Sequence, residues 1–365
     1  MDQQELLYWL AWNRVPGVGP ARFFKLLEDF GSMEDAWNAP LDTLERVLGP
    51  KVFRQWKNIA SQHEQLELEY LKAEAGGYRI YCYTDTDYPA LLKKIPDPPP
   101  VLYCRGSFVY GDDAAIALVG TRNPSPMGSY HARELARELS AQGLTLVSGM
   151  ARGIDSEAHW GALEAGGRTI AVLGSGIDVC YPPENEALMD RIAASGAVIS
   201  EFALGTQPVP KNFPARNRII SGLSLGVVVV EATDDSGSLI TAGFALEQGR
   251  EVFAVPGSIE NEGSRGPHKL IRQGAKLVES AKDILEDLAI PYLDLAAEEV
   301  SAGRMGQLDP VELQVYRCLT REPSHIDQII RTTQLGVAQV NAILIQLEMK
   351  GFIKSFPGQL YLKLP

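Results

Sequence analysis

One short basic and aromatic segment offers the clearest chemistry in this sequence. The letters KNFPARNR place Lys211, Arg216 and Arg218 beside Phe213, with Asn217 between the two arginines. Cations bind phosphate oxygens, and an aromatic ring stacks on a nucleic-acid base with about 1–3 kcal/mol per stacked base. This combination is typical of a groove that holds a single nucleic-acid strand.

A second group of candidates lies in loops that follow the predicted strands. These loops read GTRNPSP, SGMARGID, GSGID, EATDDSGS and PGS. Glycine lets a backbone approach a ligand closely, and the free amides at a helix start bind anions. In an open parallel sheet such loops meet at the carboxyl ends of the strands. The candidate binding residues from these loops are Gly120, Arg122, Ser148, Gly149, Gly237 and Ser238.

A structural role is open for several of the same side chains. Arg218 could pair with Glu201 or Glu231, and Phe213 could pack in the core. One of two neighbouring cations often locks a loop, so Arg216 and Arg218 could each serve the fold instead of a ligand. For these residues the sequence leaves both interpretations open.

The charge balance restricts how the protein could hold a polyanion. The chain has 365 residues with 34 basic and 46 acidic side chains, a net charge of −12. This argues against a protein that holds nucleic acid by bulk positive charge. Residues 114–133 and 202–230 contain no carboxylate, and they carry Arg122 and the basic segment. We therefore expect a local patch, and ligand binding is the favoured role of Arg122.

Several other kinds of site are excluded or poorly supported. The chain contains no GK dipeptide and hence no Walker A loop, and GSGIDV lacks the third glycine of a dinucleotide fingerprint. Asp155 and His159 could relay protons, but a helix cap at Asp155 or Ser156 with a packed His159 is the simpler interpretation. We expect neither catalysis nor any cofactor or metal.

The cysteines and the hydropathy pattern indicate a cytoplasmic protein. Four cysteines are scattered without CxxC pairs, which argues against disulfides or zinc and fits a reducing compartment. No window approaches eighteen uninterrupted apolar residues, and the acidic start does not resemble a signal peptide. We expect a cytoplasmic location without a membrane span.

Alternating apolar runs and helical stretches predict the elements that position these residues. Runs of four to six apolar residues separated by helices are typical of a parallel sheet buried on both faces. The fold class predicted is α/β, an extended Rossmann-like, doubly wound, mostly parallel sheet. The predicted strands are YRIYCY, VLYCRG, AAIALVG, LTLVSG, RTIAVLG, AVISE, LGVVVVEA and REVFAVPG.

Two smaller modules flank the predicted sheet domain at residues 76–289. Residues 1–75 read as helices joined at PGVG, either a helix-hairpin-helix (SAM-like) domain that approaches phosphate or a tight turn in a small bundle. Residues 290–308 read as a linker. Residues 309–365 read as three helices and a hairpin, the layout of a winged helix.

A specific set of motifs resembles one known family. The chain resembles the DprA (Smf) family, DNA-processing proteins of natural transformation, almost continuously over residues 78–288. The motifs that carry the resemblance are GTRNPSPMG, SGMARGIDSEAHWGAL, AVLGSGIDVCYPPEN, FPARNRIISGLS, VVVVEA, SGSLITAGFALEQGREVFAVPG and GSRGPHKLI.

The resemblance implies a single-stranded DNA-binding recombination mediator. Such proteins coat incoming strands and form homodimers through the sheet domain. They also help load the RecA recombinase on DNA that single-strand-binding protein would otherwise occupy. The glycine-arginine loop, the amide-rich loop and the basic segment match the family's motifs. The DNA-binding residues that the resemblance implies are Gly120, Arg122, Ser148, Gly149, Lys211, Phe213, Arg216, Asn217 and Arg218.

Two functions of other classes remain as alternatives. The sheet also resembles nucleotide-cleaving enzymes of the lysine-decarboxylase-like superfamily. Gly237 and Glu247 match the motif of those enzymes only loosely. A sequence-specific regulator would use the winged helix, whose candidate recognition helix carries a single cation. Its polar residues are Gln339, Asn341, Gln346 and Lys350.

Overall fold

The computed structural model describes residues 2–61, 63–290, 309–319, 324–333, 335–350, 352–356 and 358–363. It contains two compact units, residues 1–292 and 293–365. The first unit begins with a run of helices that precedes the sheet. These are α1 (Gln3–Arg14), α2 (Pro20–Phe30), α3 (Met33–Trp37), α4 (Leu41–Leu48), α5 (Pro50–Ala60) and α6 (His63–Ala75).

A nine-stranded sheet with helices on both faces forms the rest of this unit. Its strands are β1 (Arg79–Cys82), β2 (Val101–Gly106), β3 (Ala115–Val119), β4 (Thr145–Ser148), β5 (Thr169–Val172), β6 (Ala197–Ser200), β7 (Gly226–Val229), β8 (Glu251–Ala254) and β9 (Lys276–Leu277). Its helices are α7 (Pro126–Ala141), α8 (Ile154–Glu164), α9 (Glu186–Ser195), α10 (Asn212–Gly222), α11 (Gly237–Glu247), α12 (Arg265–Arg272) and α13 (Ala281–Asp287).

The strand order is β1-β2-β6-β5-β4-β3-β7-β8-β9. Strand β2 pairs antiparallel with β1 and with β6, and the other pairs are parallel. The predicted mostly parallel, doubly wound sheet is therefore confirmed, and each predicted strand is present. The short edge strand β9 was not predicted.

The chain changes direction across the sheet between β3 and β7. After β3 it builds β4, β5 and β6 on one side, and it then crosses over to place β7 against the other side of β3. The loops that leave β3 and β7 diverge to opposite faces, which opens a crevice at their carboxyl ends. This position is where ligands bind in open α/β sheets.

Each face of the sheet is closed by a distinct group of helices. Helices α10, α11 and α12 cover one face, where Ile219, Ala242 and Val227 belong to one buried apolar cluster. Helices α7, α8 and α13 cover the opposite face, where Leu135 and Ile284 contribute to a second core. The N-terminal helices pack beside α9 through a core that includes tryptophans and sheet residues. The N-terminal helices and the sheet thus share buried contacts.

The basic segment lies in a helix, whereas the sequence predicts a loop that Arg216 or Arg218 could lock. Helix α10 begins at Asn212, so the Phe213-Pro214 pair occupies its first turn. Proline is tolerated in that turn because its missing N–H would have no intrahelical partner. The helix continues through Ile219 and Ile220, which are buried under the sheet.

The C-terminal unit has the predicted winged-helix layout. It contains α14 (Pro310–Arg317), β10 (Ser324–His325), α15 (Ile326–Thr333), α16 (Val337–Met349), β11 (Ile353–Phe356) and β12 (Leu360–Lys363). Its three strands pair in the order β10-β12-β11. The predicted linker, residues 290–308, lies outside the described residues except for Ile290. The domain bounds predicted from the sequence, 1–75, 76–289 and 309–365, stay predictions.

Candidate nucleic-acid interface

A cleft of about 520 Å³ opens at the crevice between β3 and β7. It is lined by the loop after β3, the first turns of α10 and α11, and residues that follow β4 and β5. It therefore joins segments that are far apart in the sequence. The predicted site residues that line it are Gly120, Arg122, Phe213, Arg216, Asn217, Gly237 and Ser238.

Arg122 is the exposed cation of this cleft. It lies in residues 121–125, which we call the Arg122 loop, and its side chain is open to solvent. Its guanidinium carbon is 5.3 Å from the centre of the Phe213 ring, a cation–π contact. Within the described residues its guanidinium has no ion pair and no hydrogen bond. The Arg122 loop and α10 thus share one cleft.

Phe213 stands partly exposed on the wall of the cleft. Its ring packs on Gly174, where an added Cβ would come within 2.8 Å of the ring. Tyr181, from the loop after β5, has its ring centre 5.5 Å from that of Phe213. The cleft therefore presents two aromatic rings and the Arg122 guanidinium together, which is suited to stacking a base.

Arg216 forms the buried floor beneath these groups. It is only 4% exposed, and its guanidinium donates to the carbonyls of Gly149, at 2.8 Å, and Val172. Its Nε also donates to Asn217 Oδ1 at 3.1 Å. Burial lowers the pKa of Arg216 to about 10, with Arg122 acting in the same direction and Asp155 opposing it. Arg216 ties the ends of two strands together.

Asp155 is the carboxylate that faces this buried cation. Its Oδ2 accepts from the amides of Gly149, at 3.1 Å, and Ala151, at 3.4 Å. Burial raises the pKa of Asp155, and the charge of Arg216 opposes that shift. The predicted helix cap at Asp155 or Ser156 is wrong, because the N-cap of α8 is Gly153. Asp155 instead holds the loop that precedes the helix.

His159 is buried in the core rather than directed into the cleft. Its Nδ1 lies 2.7 Å from Thr169 Oγ1, whose hydroxyl donates to the Leu146 carbonyl, so Nδ1 carries the proton in this network. Burial lowers the pKa of His159 to about 3, and the charge of Arg216 acts in the same direction. A packed, neutral His159 agrees with the simpler interpretation of the sequence.

Four predicted site residues do not line the cleft. Ser148 is fully buried and donates to the Leu118 carbonyl, while Gly149 lies underneath Arg216. Arg218 is paired with Glu201, with an Nη1–Oε1 distance of 2.6 Å. The structural alternative for Arg218 is therefore the one observed. Lys211 is exposed at the start of α10, next to the cleft.

The start of α11 lines another part of the cleft. An added Cβ on Gly237 would find no atom within 4 Å, so the space beside it is empty. Ser236 caps the helix, with its hydroxyl 2.7 Å from that of Ser238. Gly120 is constrained by the protein instead, because a Cβ there would approach Ile154 to 2.5 Å.

Some cleft residues were missed by sequence reasoning. Tyr181 sits in the CYPPEN stretch after β5, and Thr121, Ser236 and Thr241 come from segments already singled out. An aromatic residue in a loop at the carboxyl edge of the sheet was a usable signal for Tyr181. The buried partners of Arg216 had no such signal, because they depend on tertiary packing.

The described residues contain no group of three or more histidine, cysteine, aspartate or glutamate side chains arranged to hold a metal ion. They also contain no helix that is long and apolar enough to cross a membrane.

The family assignment rests on comparison with known sequences. The sequence model for DNA recombination-mediator protein A matches residues 79–289, and that for the DprA winged helix domain matches residues 299–359. The first match alone covers more than half of the chain. This protein belongs to the DNA recombination-mediator protein A family. It therefore has the family's role in DNA processing and recombination mediation.

Curated relatives extend the match over the whole chain. Protein Smf of Synechocystis sp. is 37% identical over 99% of this chain and 99% of its own length. DNA processing protein DprA of Bacillus subtilis is 49% identical over 58% of this chain and 72% of its own. Protein Smf of Escherichia coli is 43% identical over 74% of each chain.

Solved structures of DprA proteins share the fold. DprA of Streptococcus pneumoniae superimposes with a TM-score of 0.67 and 38% identity, covering 78% of this chain and 98% of that one. DprA of Helicobacter pylori, whose structure is described for its single-stranded DNA binding mode, gives a TM-score of 0.52 and 31% identity. That match covers 58% of this chain and 95% of the other.

Proposed function

We propose that this protein binds single-stranded DNA in the cleft between β3 and β7. The carrying observation is that Arg122, which has no ion pair among the described residues, lies over Phe213 in a cleft at the ligand edge of the sheet. A phosphate would bind Arg122 and the start of α11, and a base would stack against the aromatic wall. The H. pylori relative with a described single-stranded DNA binding mode supports this proposal.

The roles proposed for the site residues follow their positions. Arg122 and Lys211 contact phosphates, Phe213 stacks a base, and Asn217 and Ser238 offer polar groups to the strand. Gly237 keeps the cleft open, and Gly120 lets the start of the Arg122 loop pack closely against Ile154. Ser148, Gly149, Arg216 and Arg218 shape the site from within, because each is buried and hydrogen-bonded to other parts of the protein.

The substitution Arg122→Ala tests the proposed site. We expect it to weaken the binding of a single-stranded oligonucleotide by about 10-fold or more, because a charge-assisted contact is lost. Thermal stability should change little, since the side chain is exposed and gives up a solvent-accessible cation–π contact with Phe213. The measurements are fluorescence anisotropy for binding and a melting curve for stability.

Arg272→Ala is the matched control, because Arg272 is an exposed arginine on α12 that does not line the cleft. It removes the same charge and should leave the affinity within about twofold. Equal losses from both variants would show that only net charge matters. A loss of stability in Arg122→Ala would give that residue a structural role instead.

We also propose that the protein acts without catalysing a reaction. Glu247, the residue that echoes the nucleotide-cleaving enzymes, is exposed at the end of α11 and does not line the cleft. Incubation with nucleoside monophosphates should therefore release no free base. Release that disappears in Glu247→Ala would show that the enzymatic alternative is right.

The winged helix offers little to a sequence-specific DNA regulator. Lys350, the cation of its candidate recognition helix, is held by Glu312 with Nζ–Oε distances of 2.7 and 2.8 Å. A phosphate anchor would have to break that pair. Selection of duplexes from a random pool should accordingly yield no preferred sequence.

The partners proposed follow from family membership. We propose a cytoplasmic homodimer, formed through the sheet domain, that protects incoming strands and helps load RecA where single-strand-binding protein competes. Exposed apolar side chains on the sheet unit, among them Leu246 and Ile259, would supply surface for such contacts. Sedimentation of the purified protein should give the mass of a dimer, and a monomer at micromolar concentration would contradict this.

A further inference from the structure

Glu231 is a buried carboxylate, two residues after β7 ends, that the proposed binding site does not use. It is 7% exposed. Its side chain accepts hydrogen bonds from three uncharged donors among the described residues, namely the Ser125 amide, the Ser125 hydroxyl and the Asn261 amide group. A carboxylate is costly to bury, so its donors must be held in place for it to remain there.

The same residue holds both ends of the Arg122 loop. The Glu231 carbonyl accepts from the Thr121 amide at 2.7 Å. Its carboxylate accepts from the Ser125 amide at 2.8 Å and from the Ser125 hydroxyl at 2.6 Å. Only three residues separate these two attachment points, so the loop has little freedom to move Arg122.

Neighbouring groups fit closely around this attachment. An added Cβ on Gly128 would lie 2.4 Å from the Glu231 carboxyl carbon, and one on Gly153 would lie 2.8 Å from the Arg122 carbonyl carbon. Asn261 donates to Glu231 at 2.9 Å and accepts from the Gly263 amide at 2.9 Å. The Glu231 carboxylate is therefore fixed by the segment after β8 while it binds the loop after β3.

We infer that Glu231 is the positioning residue that sets Arg122 over Phe213 for single-stranded DNA. Glu231 acts through Arg122 and touches no DNA itself. This inference rests on the proposed DNA-binding function of the cleft. It also makes a claim about the free protein, that the Arg122 loop loosens when the carboxylate is lost.

The first experiment measures the loop without DNA. Trypsin cleaves after Arg122, so the rate of cleavage there reports on opening of the Arg122 loop. We expect Glu231→Gln and Ser125→Ala to raise that rate at least about fivefold, because each removes hydrogen bonds that close the loop. Cleavage after Arg272, measured in the same digest, should not change. An unchanged rate after Arg122 would overturn the inference.

The second experiment is a double-mutant cycle with an oligonucleotide. Glu231→Gln should weaken single-strand binding about fivefold in the natural chain but less than about twofold in the Arg122→Ala background. An equal loss in both backgrounds would show that Glu231 does not act through Arg122. Ser280→Ala is the control, because it removes the cap of α13 outside the cleft and should leave the affinity unchanged.

The outcomes separate the two proposals. If Arg122→Ala weakens binding and Glu231→Gln does not, only the positioning role fails. If Arg122→Ala has no effect, the DNA site fails and the positioning role fails with it, whatever the digest shows. If Glu231→Gln does not fold, Ser125→Ala carries the same test, since it removes one donor and leaves the carboxylate bound by the others. Because the Ser125 hydroxyl also caps α7 by accepting from the Gly128 amide, the melting temperature of Ser125→Ala is measured beside its cleavage rate.

Discussion

At the residue scale, three arginines of one cleft region have three different environments. Arg218 is neutralised by Glu201, and Arg216 is buried against carbonyl oxygens. Arg122 alone among these three is exposed and lies over a ring. Removing a partner from a buried charge is costly, whereas an exposed charge can be removed without loss of the fold. The role of each arginine is therefore decided by the groups that it contacts and not by its residue type.

Replacement of Phe213 tests whether its ring stacks on DNA. We expect Phe213→Ala to weaken single-strand binding by about 1–3 kcal/mol, the range for one stacked base. Part of this loss would come from Arg122, which loses the ring beneath it. Titration of a labelled oligonucleotide measures the change.

Phe213→Leu is the companion variant, because it keeps apolar volume against Gly174 and removes only the aromatic face. It should bind as weakly as Phe213→Ala while its stability stays near that of the natural chain. Natural affinity in Phe213→Leu would assign the ring to packing alone.

The buried His159 predicts a pH dependence of folding. Its pKa is lowered to about 3 in the folded protein, below the ordinary value of 6.5, so the unfolded chain takes up a proton first as pH falls. Stability should therefore decrease between pH 6.5 and pH 3. From pH 7 to pH 5 this one group should remove about 2 kcal/mol from the free energy of unfolding.

Urea unfolding at the two pH values, repeated on His159→Gln, isolates this contribution. The variant lacks the titrating ring, so its stability should fall by about 2 kcal/mol less over the same interval. Parallel losses in both proteins would mean that His159 is not held neutral in the core.

At the scale of elements, the cleft depends on how β4 and β5 end beneath α10. The Arg216 guanidinium donates to the carbonyls of Gly149, directly after β4, and Val172, the last residue of β5. Gly149, which has no side chain, leaves room for this guanidinium. An added Cβ on Gly149 would lie 2.2 Å from Arg216 Nη2 and 2.7 Å from Asp155 Oδ2. The position therefore admits only glycine unless the buried pair moves.

Gly149→Ala should lower the free energy of unfolding by about 2–4 kcal/mol, through overpacking and strained hydrogen bonds at Arg216. Chemical denaturation measures the change. Gly243→Ala in α11 is the control, because a Cβ there meets no atom within 4 Å, and it should be neutral or slightly stabilising. Equal stability of both variants would contradict the role of Gly149.

The sequence predicted elements more reliably than side-chain roles. The strands were predictable because each is a short apolar run between glycine-rich turns, and their order placed Arg122 at the ligand edge. The segment with Arg216 and Arg218 is predicted as a loop, whereas both arginines lie in helix α10. Edge strand β9 is only two residues long, too short to show an alternation of apolar and polar residues. The partners of Arg216 and Arg218 come from distant segments, so no local pattern reveals them.

At the scale of the whole molecule, the protein carries a net charge of −12, and the cleft is lined by few cations. Such a surface repels a rigid duplex, whereas a flexible strand can bring one phosphate and one base into the cleft. Arg122 lines the cleft, Lys211 lies next to it, and both are exposed. About two phosphate contacts predict a log–log salt slope of about −1.4 for single strands. Binding should therefore be moderately sensitive to salt.

The most direct measurement is competition between unlabelled single strands and duplexes of equal length for binding to the 365-residue chain, at several salt concentrations. A labelled single strand should be displaced by single strands at about tenfold lower concentration than by duplexes, with a salt slope between about −1 and −2. Equal displacement by both competitors, or a slope near zero, would contradict a single-strand cleft built on Arg122 and Phe213.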